Sequence, residues 1–297
     1  SIGPAPDLDP DDPYDVEKLR SLMLGYHARW IDEPYEVLAV EREFAGLPIV
    51  NPDTGEVHPI YTRAGKVDVV LRDARDQRIY VLDHKFTSSE ASPGSAYLTK
   101  LRLDSQVSMY FAGAESFGFG PVSGWIHDVI LKPAHRPLRA TPEESRKFTK
   151  GKPARSSVIN GALEVTPAEP PRLYAGQRDR DETPEEFGDR IASEIAEAGP
   201  DAHFIRAHVV RLESELVEFD RDLWATAERM AVDAARAEHG GRSERNTDQC
   251  SRYGGMCAFF PLCSGECGAD DQSRFATVDP RAIHPELALG ASDAKTA

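Results

Sequence analysis

Residues 65–85 read GKVDVVLRDARDQRIYVLDHK, and they contain two strand-like runs separated by a polar turn. Residues 67–71 are apolar and β-branched, and residues 79–82 are apolar again. The first run carries Asp68, and the second ends immediately before Asp83. Two neighbouring strands therefore each contribute one carboxylate, and we expect these carboxylates to lie at adjacent strand ends.

Sequence patterns on either side of this stretch predict further helices and strands, and together they indicate an α/β or α+β core. Apolar residues at helical spacing predict a first helix with Asp15 as its N-cap and Trp30 near its end. Further elements are predicted over residues 35–44 (strand), 98–111 (helix), 125–131 (strand), 178–201 (helix), 204–212 (strand) and about 221–239 (helix). This order of elements does not repeat, which excludes a repeat protein.

The composition indicates a globular, acidic chain. It has 297 residues and a formal net charge of −15, which taken alone argues against a protein whose role is to hold nucleic acid, because neutralising phosphates needs Lys and Arg. The sequence shows neither an apolar run long enough to span a membrane nor a secretory signal pattern, so we expect a cytoplasmic protein with no membrane partner.

Charge is distributed unevenly along the chain. Residues 1–14 are rich in Pro and Asp and are predicted to be a flexible lead-in. A single domain is predicted over 15–270, and residues 271–297 are predicted to be a tail. Within that domain, 132–200 is predicted to be an insertion. Its part over 132–155 has eight Lys or Arg residues against two Glu, whereas 178–201 is acidic. The predicted DNA-facing residues of the insertion are Lys132, Arg136, Arg139, Lys147 and Lys150.

The residues that could carry chemistry are concentrated near the two strand ends. Side chains two apart in a strand point to the same side, so Asp83 and Lys85 should project together. Gln106 and Tyr110 lie four apart on the next helix and share one of its faces. Paired carboxylates suit Mg²⁺ or Mn²⁺, and a lysine beside them suits hydrolysis of a phosphodiester. Each motif alone is common in surface turns and ion pairs, but their order is specific.

This block resembles the RecB-like branch of the PD-(D/E)XK nuclease superfamily, over about residues 15–135 and 200–267. The resemblance implies a restriction-endonuclease-like α/β fold, with a central mixed sheet flanked by helices. It also implies that the metal is held by Asp68, Asp83 and the main-chain carbonyl of His84. Lys85 would serve the attacking water, and Gln106 and Tyr110 would contact DNA or brace the site.

Two further candidates follow from the resemblance. Members of this branch usually carry a motif histidine on an N-terminal helix, and His27 lies on a predicted helix in about that place. It could equally be an ordinary surface or packing residue. Members also often carry a glutamate on the first strand. Here Glu41 fits the family spacing better than Glu43, and the alternative is a solvated strand face.

All four cysteines lie near the C-terminal end of the predicted domain, at Cys250, Cys257, Cys263 and Cys267. Clustered thiolates indicate a metal or iron–sulfur site, and disulfides are the alternative. The short Cys-X₂₋₄-Cys knuckles typical of structural zinc are absent, so a [4Fe–4S] cluster is favoured over Zn²⁺. A similar C-terminal cysteine trio occurs in AddB and CRISPR-associated members of the family, where an upstream cysteine is the fourth ligand. No cysteine lies upstream here, so Cys267 is expected to replace it, unless that ligand lies in sequence that is not present.

We therefore expect a Mg²⁺- or Mn²⁺-dependent deoxyribonuclease. Exonuclease action on single strands or duplex ends would serve recombination, repair or phage DNA processing, with a helicase or recombination protein as a possible partner. The alternatives are a DNA-end-binding or scaffold subunit with little catalytic activity, and a phosphodiesterase that acts on another substrate.

Overall fold

The computed structural model describes residues 9–159, 162–241, 245–251, 255–279, 282 and 284. The fold is α/β, with a central five-stranded mixed sheet flanked by helices, as expected. The sheet has the order β1-β2-β3-β4-β7. Its strands are β1 (Tyr35–Val50), β2 (Val57–Asp73), β3 (Ile79–Thr87), β4 (Val122–Leu131) and β7 (Phe204–Val209).

The helices in chain order are α1 (Pro13–Trp30), α2 (Ala96–Thr99), α3 (Ser105–Glu115), α4 (Pro184–Ala198), α5 (Glu213–Glu238) and α6 (Phe260–Ser264). A separate two-stranded hairpin consists of β5 (Arg155–Ile159) and β6 (Ala162–Thr166). Among the described residues, no helix is both long and apolar enough to cross a membrane.

The chain divides into two compact units. The first contains Ser1–Glu33, His84–Tyr97 and Asp128–Arg206, and the second contains Pro34–Asp83, Leu98–His127 and Ala207–Ala297. Each unit has its own apolar core. In the first, α1 and α4 pack together through Leu22, Phe187, Ile191 and Ile195. In the second, α3 packs on the sheet through Val107, Phe111, Val70, Val81 and Trp125.

The two strand-like runs over residues 67–71 and 79–82 lie in the antiparallel neighbouring strands β2 and β3. Their register pairs Val69 with Leu82 and Val70 with Val81. A turn over Asn51–Gly55 connects β1 and β2: Gly55 N donates to Asn51 O at 2.8 Å, and Gly55 has a φ of 76°. Glycine is suited to this position because it has no Cβ to strain a left-handed backbone.

Two helix predictions were wrong at their starts. Helix α1 begins at Pro13, and its N-cap is Asp12, which accepts from Tyr14 N at 2.9 Å, instead of Asp15. Helix α5 begins at Glu213, well before residue 221, because Glu215 Oε2 accepts from Leu212 N at 2.8 Å and satisfies an amide at the helix start.

The helix predicted over 98–111 is interrupted. A short 3₁₀ turn, Lys100–Leu103, ends at Asp104, whose backbone is extended. The Asp104 side chain then caps α3 by accepting from Gln106 N at 2.9 Å. An aspartate that can bond to the backbone two residues ahead favours such a restart over a continuous helix.

The charged segments of the predicted insertion contact each other within the first unit. Leu138 N donates to Glu182 Oε2 at 2.7 Å, and Arg139 pairs with Asp181 at 2.8 Å. Lys147 N donates to Gln177 Oε1 at 2.6 Å. The basic and acidic stretches thus neutralise each other in part, a pairing that their separation in sequence conceals. Helix formation around Phe187 and Ile191 is confirmed by α4.

Candidate functional site

Asp68 and Asp83 lie at the same level of the sheet in the second unit. The β2–β3 register runs to the pair Val69 and Leu82, and the next residues along the two strands are Asp68 and Asp83. Asp83 is fully buried, whereas Asp68 is partly exposed. The sequence prediction of two carboxylates at neighbouring strand positions therefore agrees with the backbone register.

The backbone is irregular beside Asp68. Glu41 has a φ of 49°, which is uncommon outside glycine. The β1–β2 register pairs Val40 with Val69 and Arg42 with Val67, so Glu41 and Asp68 occupy the positions between these pairs. Strained residues of this kind occur preferentially at functional sites. The predicted residues Glu41 and Asp68 are thus adjacent across two strands.

Lys66 supplies a positive charge in this region. It forms an ion pair with Glu41, and the hydrogen bond to Glu41 raises the pKa of Lys66, with the charge of Asp68 contributing as well. The lysine therefore stays protonated and offsets part of the negative charge of Glu41 and Asp68.

Gly65, the first residue of the motif stretch, has a packing role. It pairs with Phe44 across the strands, and a Cβ on Gly65 would lie 2.9 Å from the Phe44 ring. Gly113 of α3 faces the same ring, where a Cβ would lie 2.3 Å away. Both glycines let the Phe44 ring fit between the sheet and α3, which fixes the distance of α3 from the strands.

Gln106 and Tyr110 lie on α3 in the same unit, both partly buried. The Tyr110 ring packs against Trp125 of β4, with ring centroids 5.3 Å apart. The start of α3 is held by Arg211, whose guanidinium donates to Leu101 O at 2.9 Å and to Ser108 Oγ at 3.0 Å. Burial lowers the pKa of Arg211.

His127 is a neighbour of Asp83 that sequence reasoning missed. Its Nδ1 lies 3.7 Å from Asp83 Oδ2, and both side chains are buried. The signal was present in the sequence, because a histidine followed by an aspartate interrupts the apolar strand 125–131. Without the strand order, nothing indicated that this strand lies beside Asp83.

His84 belongs to a polar network of the first unit, which was also missed. Asp128 is fully buried, and its Oδ2 lies 2.6 Å from His84 Nδ1 and accepts from Tyr26 Oη at 2.6 Å. Its Oδ1 accepts from Arg206 Nε at 2.8 Å, and Arg206 also pairs with Glu33. The His84 side chain itself is 43% exposed.

This network changes the ionisation of its members. Burial and the neighbouring Asp128 carboxylate raise the pKa of Tyr26 far above the ordinary tyrosine value, so Tyr26 is a neutral donor. Burial also lowers the pKa of Arg206. Of the other candidates in this unit, Lys85 is partly buried, and His27 is exposed on α1. Tyr26, the residue before His27, is the α1 side chain that reaches the network.

The candidate DNA-facing residues also lie in the first unit. Arg136, Lys147 and Lys150 are exposed, and Lys132 is partly exposed. Arg139 is exposed as well, but the bond that it donates to Asp181 raises its pKa and neutralises its charge locally. The electrostatic surface of this segment is therefore weaker than its composition suggests.

The four cysteines are free thiols in a short segment of the second unit. Cys257 N donates to Cys250 O at 2.7 Å, and Cys263 N, in α6, donates to Phe259 O at 3.0 Å. These backbone bonds make the segment compact. Tyr253, which lies between the first two cysteines, is outside the described residues.

A metal ion held by side chains alone needs several donor groups around one point. Within the described part of the chain, no three His, Cys, Asp or Glu side chains converge closely enough to hold an ion. The predicted cluster at the cysteines needs four such ligands, and it stays a prediction. The aspartates differ, because Mg²⁺ is commonly bound through one or two carboxylates and keeps several waters. Asp68 and Asp83 satisfy that requirement in number and in donor chemistry.

Comparison of the chain with protein-family models, with curated proteins and with solved structures finds no match to any of them.

Proposed function

We propose that the protein is a metal-dependent DNA nuclease, with exonucleolytic action as the expected mode. The observation that carries this proposal is the position of Asp68 and Asp83 on adjacent strands at the same level, with Lys85 two residues further along β3. Paired carboxylates followed by a lysine suit hydrolysis of a phosphodiester. The resemblance to RecB-like nucleases rests on these same residues.

In this proposal Asp68 and Asp83 hold Mg²⁺ or Mn²⁺, with the main-chain carbonyl of His84 as a further oxygen donor. The bound ion would polarise a phosphoryl oxygen and lower the pKa of a water. The Lys85 ammonium would orient the attacking water and offset phosphate charge. Gln106 would donate from its amide to the DNA, and Tyr110 would brace the site through its contact with Trp125.

DNA contact is assigned to the exposed basic residues of the first unit, chiefly Lys147 and Lys150. Because Arg139 is paired with Asp181, fewer cations are available to phosphates than the sequence count implies. Binding should therefore be weak and strongly salt-dependent. A helicase or recombination protein would supply further DNA contacts. The protein would then act in repair, recombination or phage DNA processing.

The cysteine segment is proposed to hold a [4Fe–4S] cluster, with Zn²⁺ as the alternative. The support is the number and clustering of the cysteines and their compact backbone, and not the present positions of the thiols. Purification without oxygen followed by iron, sulfide and zinc analysis tests it. A protein that contains none of the three contradicts a cofactor in this segment.

Two substitutions test the nuclease proposal. Asp83→Ala and Lys85→Ala should each abolish cleavage of labelled single- and double-stranded DNA in Mg²⁺ or Mn²⁺, a loss of at least about 100-fold because they remove groups needed in the transition state. Asp76→Ala, an exposed aspartate in the β2–β3 turn, is the matched control and should cleave normally. Circular dichroism and thermal unfolding establish that each variant is folded.

Retained cleavage in both variants contradicts the site. Binding of DNA ends without cleavage by the unmodified protein in either metal supports the scaffold alternative. Hydrolysis of a small phosphodiester without DNA cleavage would instead support a different substrate. EDTA should abolish the activity of the unmodified protein under the first proposal.

A further inference from the structure

The loop between α3 and β4 presents two aromatic rings beside the sheet of the second unit. Residues 116–121 read SFGFGP, and Gly118 and Gly120 have φ values of 79° and 125°. Glycine adopts such values without strain because it has no Cβ. The two glycines alternate with Phe117 and Phe119, whose rings meet edge to face and pack against the core under α3.

Both ends of this loop are hydrogen bonded. Phe117 N donates to Ala114 O at 3.2 Å, which continues the last turn of α3. Gly118 N donates to Glu115 O at 3.1 Å. Val122 N, at the start of β4, donates to the Glu115 side chain at 3.0 Å. The backbone therefore fixes where the two rings lie.

Arg42 of β1 lies over these rings. Its Cζ is 4.4 Å from the ring centroid of Phe117 and 5.4 Å from that of Phe119. The Arg42 side chain is exposed, and within the part of the chain that the structure describes no carboxylate forms an ion pair with it. The adjacent Glu41 is paired with Lys66 instead. Arg42 thus keeps a positive charge that no described side chain neutralises by direct contact.

The aromatic contact orients the guanidinium without using its hydrogen-bond donors. A guanidinium over a phenyl ring is attracted to the face of the ring, and its N–H groups remain at its own edge. This edge has the fork shape that matches two oxygens of a phosphate. Because the side chain is already held, less conformational entropy is lost when an anion binds.

Arg42 projects on the α3 side of the sheet, close to the level of the two aspartates. Phe44, two residues further along β1, belongs to the core under α3, so Arg42 points to the same side. Arg42 pairs with Val67, and the next residue of β2 is Asp68. A DNA strand with its scissile phosphate at Asp68 and Asp83 would pass Arg42 where it continues across β1, the edge strand.

We propose that Arg42, oriented by Phe117, binds a backbone phosphate of the DNA strand next to the scissile one. The inference rests on the proposed function, since it takes DNA as the ligand. A phosphate fits better than a base, because a base would need an open aromatic face. Both rings are partly buried, and Arg42 lies over them.

The first measurement is binding of a labelled single-stranded oligonucleotide to the full-length chain in EDTA, followed by fluorescence anisotropy. Arg42→Ala should weaken binding by roughly 10-fold, as for one charge-assisted hydrogen bond. The slope of log affinity against log salt concentration should become shallower by about 0.7, the value for one phosphate on a single strand. Arg229→Ala, at an exposed position of α5, removes the same charge and should change neither quantity.

A second set of variants tests the role of the ring. Phe117→Leu keeps an apolar side chain but removes the ring, and it should weaken binding by about 2–5-fold. The same change should have no effect in the Arg42→Ala background, because the ring acts through the guanidinium. Thermal unfolding establishes that each variant is folded, and the exposed Arg42→Ala variant alone carries the test if Phe117→Leu is not.

An abasic oligonucleotide separates a phosphate contact from a base contact. It keeps the phosphates and lacks the bases, so Arg42→Ala should weaken its binding by the same factor. A loss that disappears with the abasic strand overturns the phosphate assignment.

The inference and the proposed function fail in different ways. DNA affinity and salt slope that are unchanged in Arg42→Ala, or changed equally in Arg229→Ala, overturn the inference whatever the cleavage assay shows. A protein that cleaves no DNA in Mg²⁺ or Mn²⁺, yet loses affinity specifically in Arg42→Ala, overturns the nuclease proposal alone. Absence of DNA binding by the unmodified protein overturns both.

Discussion

Each unit of the protein buries an aspartate beside a histidine, and the two pairs differ in geometry. In the first unit, Asp128 is within 2.6–2.8 Å of Tyr26 Oη, His84 Nδ1 and Arg206 Nε. In the second unit, Asp83 lies 3.7 Å from His127 Nδ1. The residue order is also reversed, because β3 carries Asp83-His84 and β4 carries His127-Asp128.

The difference shows that burial of a carboxylate does not by itself indicate its role. Hydrogen bonds to both oxygens of Asp128 compensate its loss of hydration, as expected for a structural residue. The Asp83–His127 contact, at 3.7 Å, is longer than a hydrogen bond. We therefore expect Asp128 to contribute chiefly to stability, whereas a chemical role for Asp83 belongs to the proposed function.

The largest expected effect on stability is that of Asp128→Ala. This change leaves the buried Arg206 guanidinium and Tyr26 hydroxyl without their shared acceptor, which should lower the free energy of unfolding by about 3–5 kcal/mol. Urea unfolding followed by circular dichroism measures it. The same measurement on Asp83→Ala in metal-free protein should give a smaller loss in the free energy of unfolding. An equal loss would contradict the difference between the two aspartates.

Metal binding should give an effect of intermediate size. Mn²⁺ at about 100 times its dissociation constant should stabilise the native state by about 2.7 kcal/mol, because only the folded protein presents the site. The melting temperature should rise in the unmodified protein and in Asp128→Asn, and EDTA should reverse the rise. A similar rise in Asp83→Asn would place the metal elsewhere.

The smallest expected effect is that of Tyr26→Phe. The change removes the hydrogen bond that Tyr26 Oη donates to Asp128 and the one that it accepts from Arg206, which together should cost about 1–2 kcal/mol at neutral pH. Because the folded-state pKa of Tyr26 is raised, its contribution is complete below the ordinary tyrosine pKa of about 10 and declines as the pH rises above it. Unfolding measured at several alkaline pH values should show a shallower decline in Tyr26→Phe than in the unmodified protein.

Much of the fold could be predicted from local patterns. The runs around Val69–Val70 and Val81–Leu82 form paired strands because apolar β-branched sequence separated by a polar turn favours a hairpin. Helix boundaries were less predictable. The starts of α1, α3 and α5 are set by single hydrogen bonds from backbone amides to Asp12, Asp104 and Glu215. Several nearby acidic residues could equally have accepted such bonds.

The candidate site was only partly predictable. Asp68, Asp83 and Lys85 are recognisable because their spacing follows from strand geometry, which is local. His127 and Tyr26 are not, since each reaches its partner from a distant part of the chain. The pairing of Arg139 with Asp181 also joins distant segments, and it reduces a basic surface that the sequence alone overstated.

Sequence by itself determined the α/β class, the paired strands, and the carboxylates and lysine that they carry, because side-chain alternation and turn chemistry act over a few residues. Tertiary structure decided which histidine meets which aspartate. That choice depends on strand order and on the face that each residue presents, and both are set when α1 and α3 bury their apolar sides in their own cores. Two similar dipeptides thus came to differ in their contacts through packing alone.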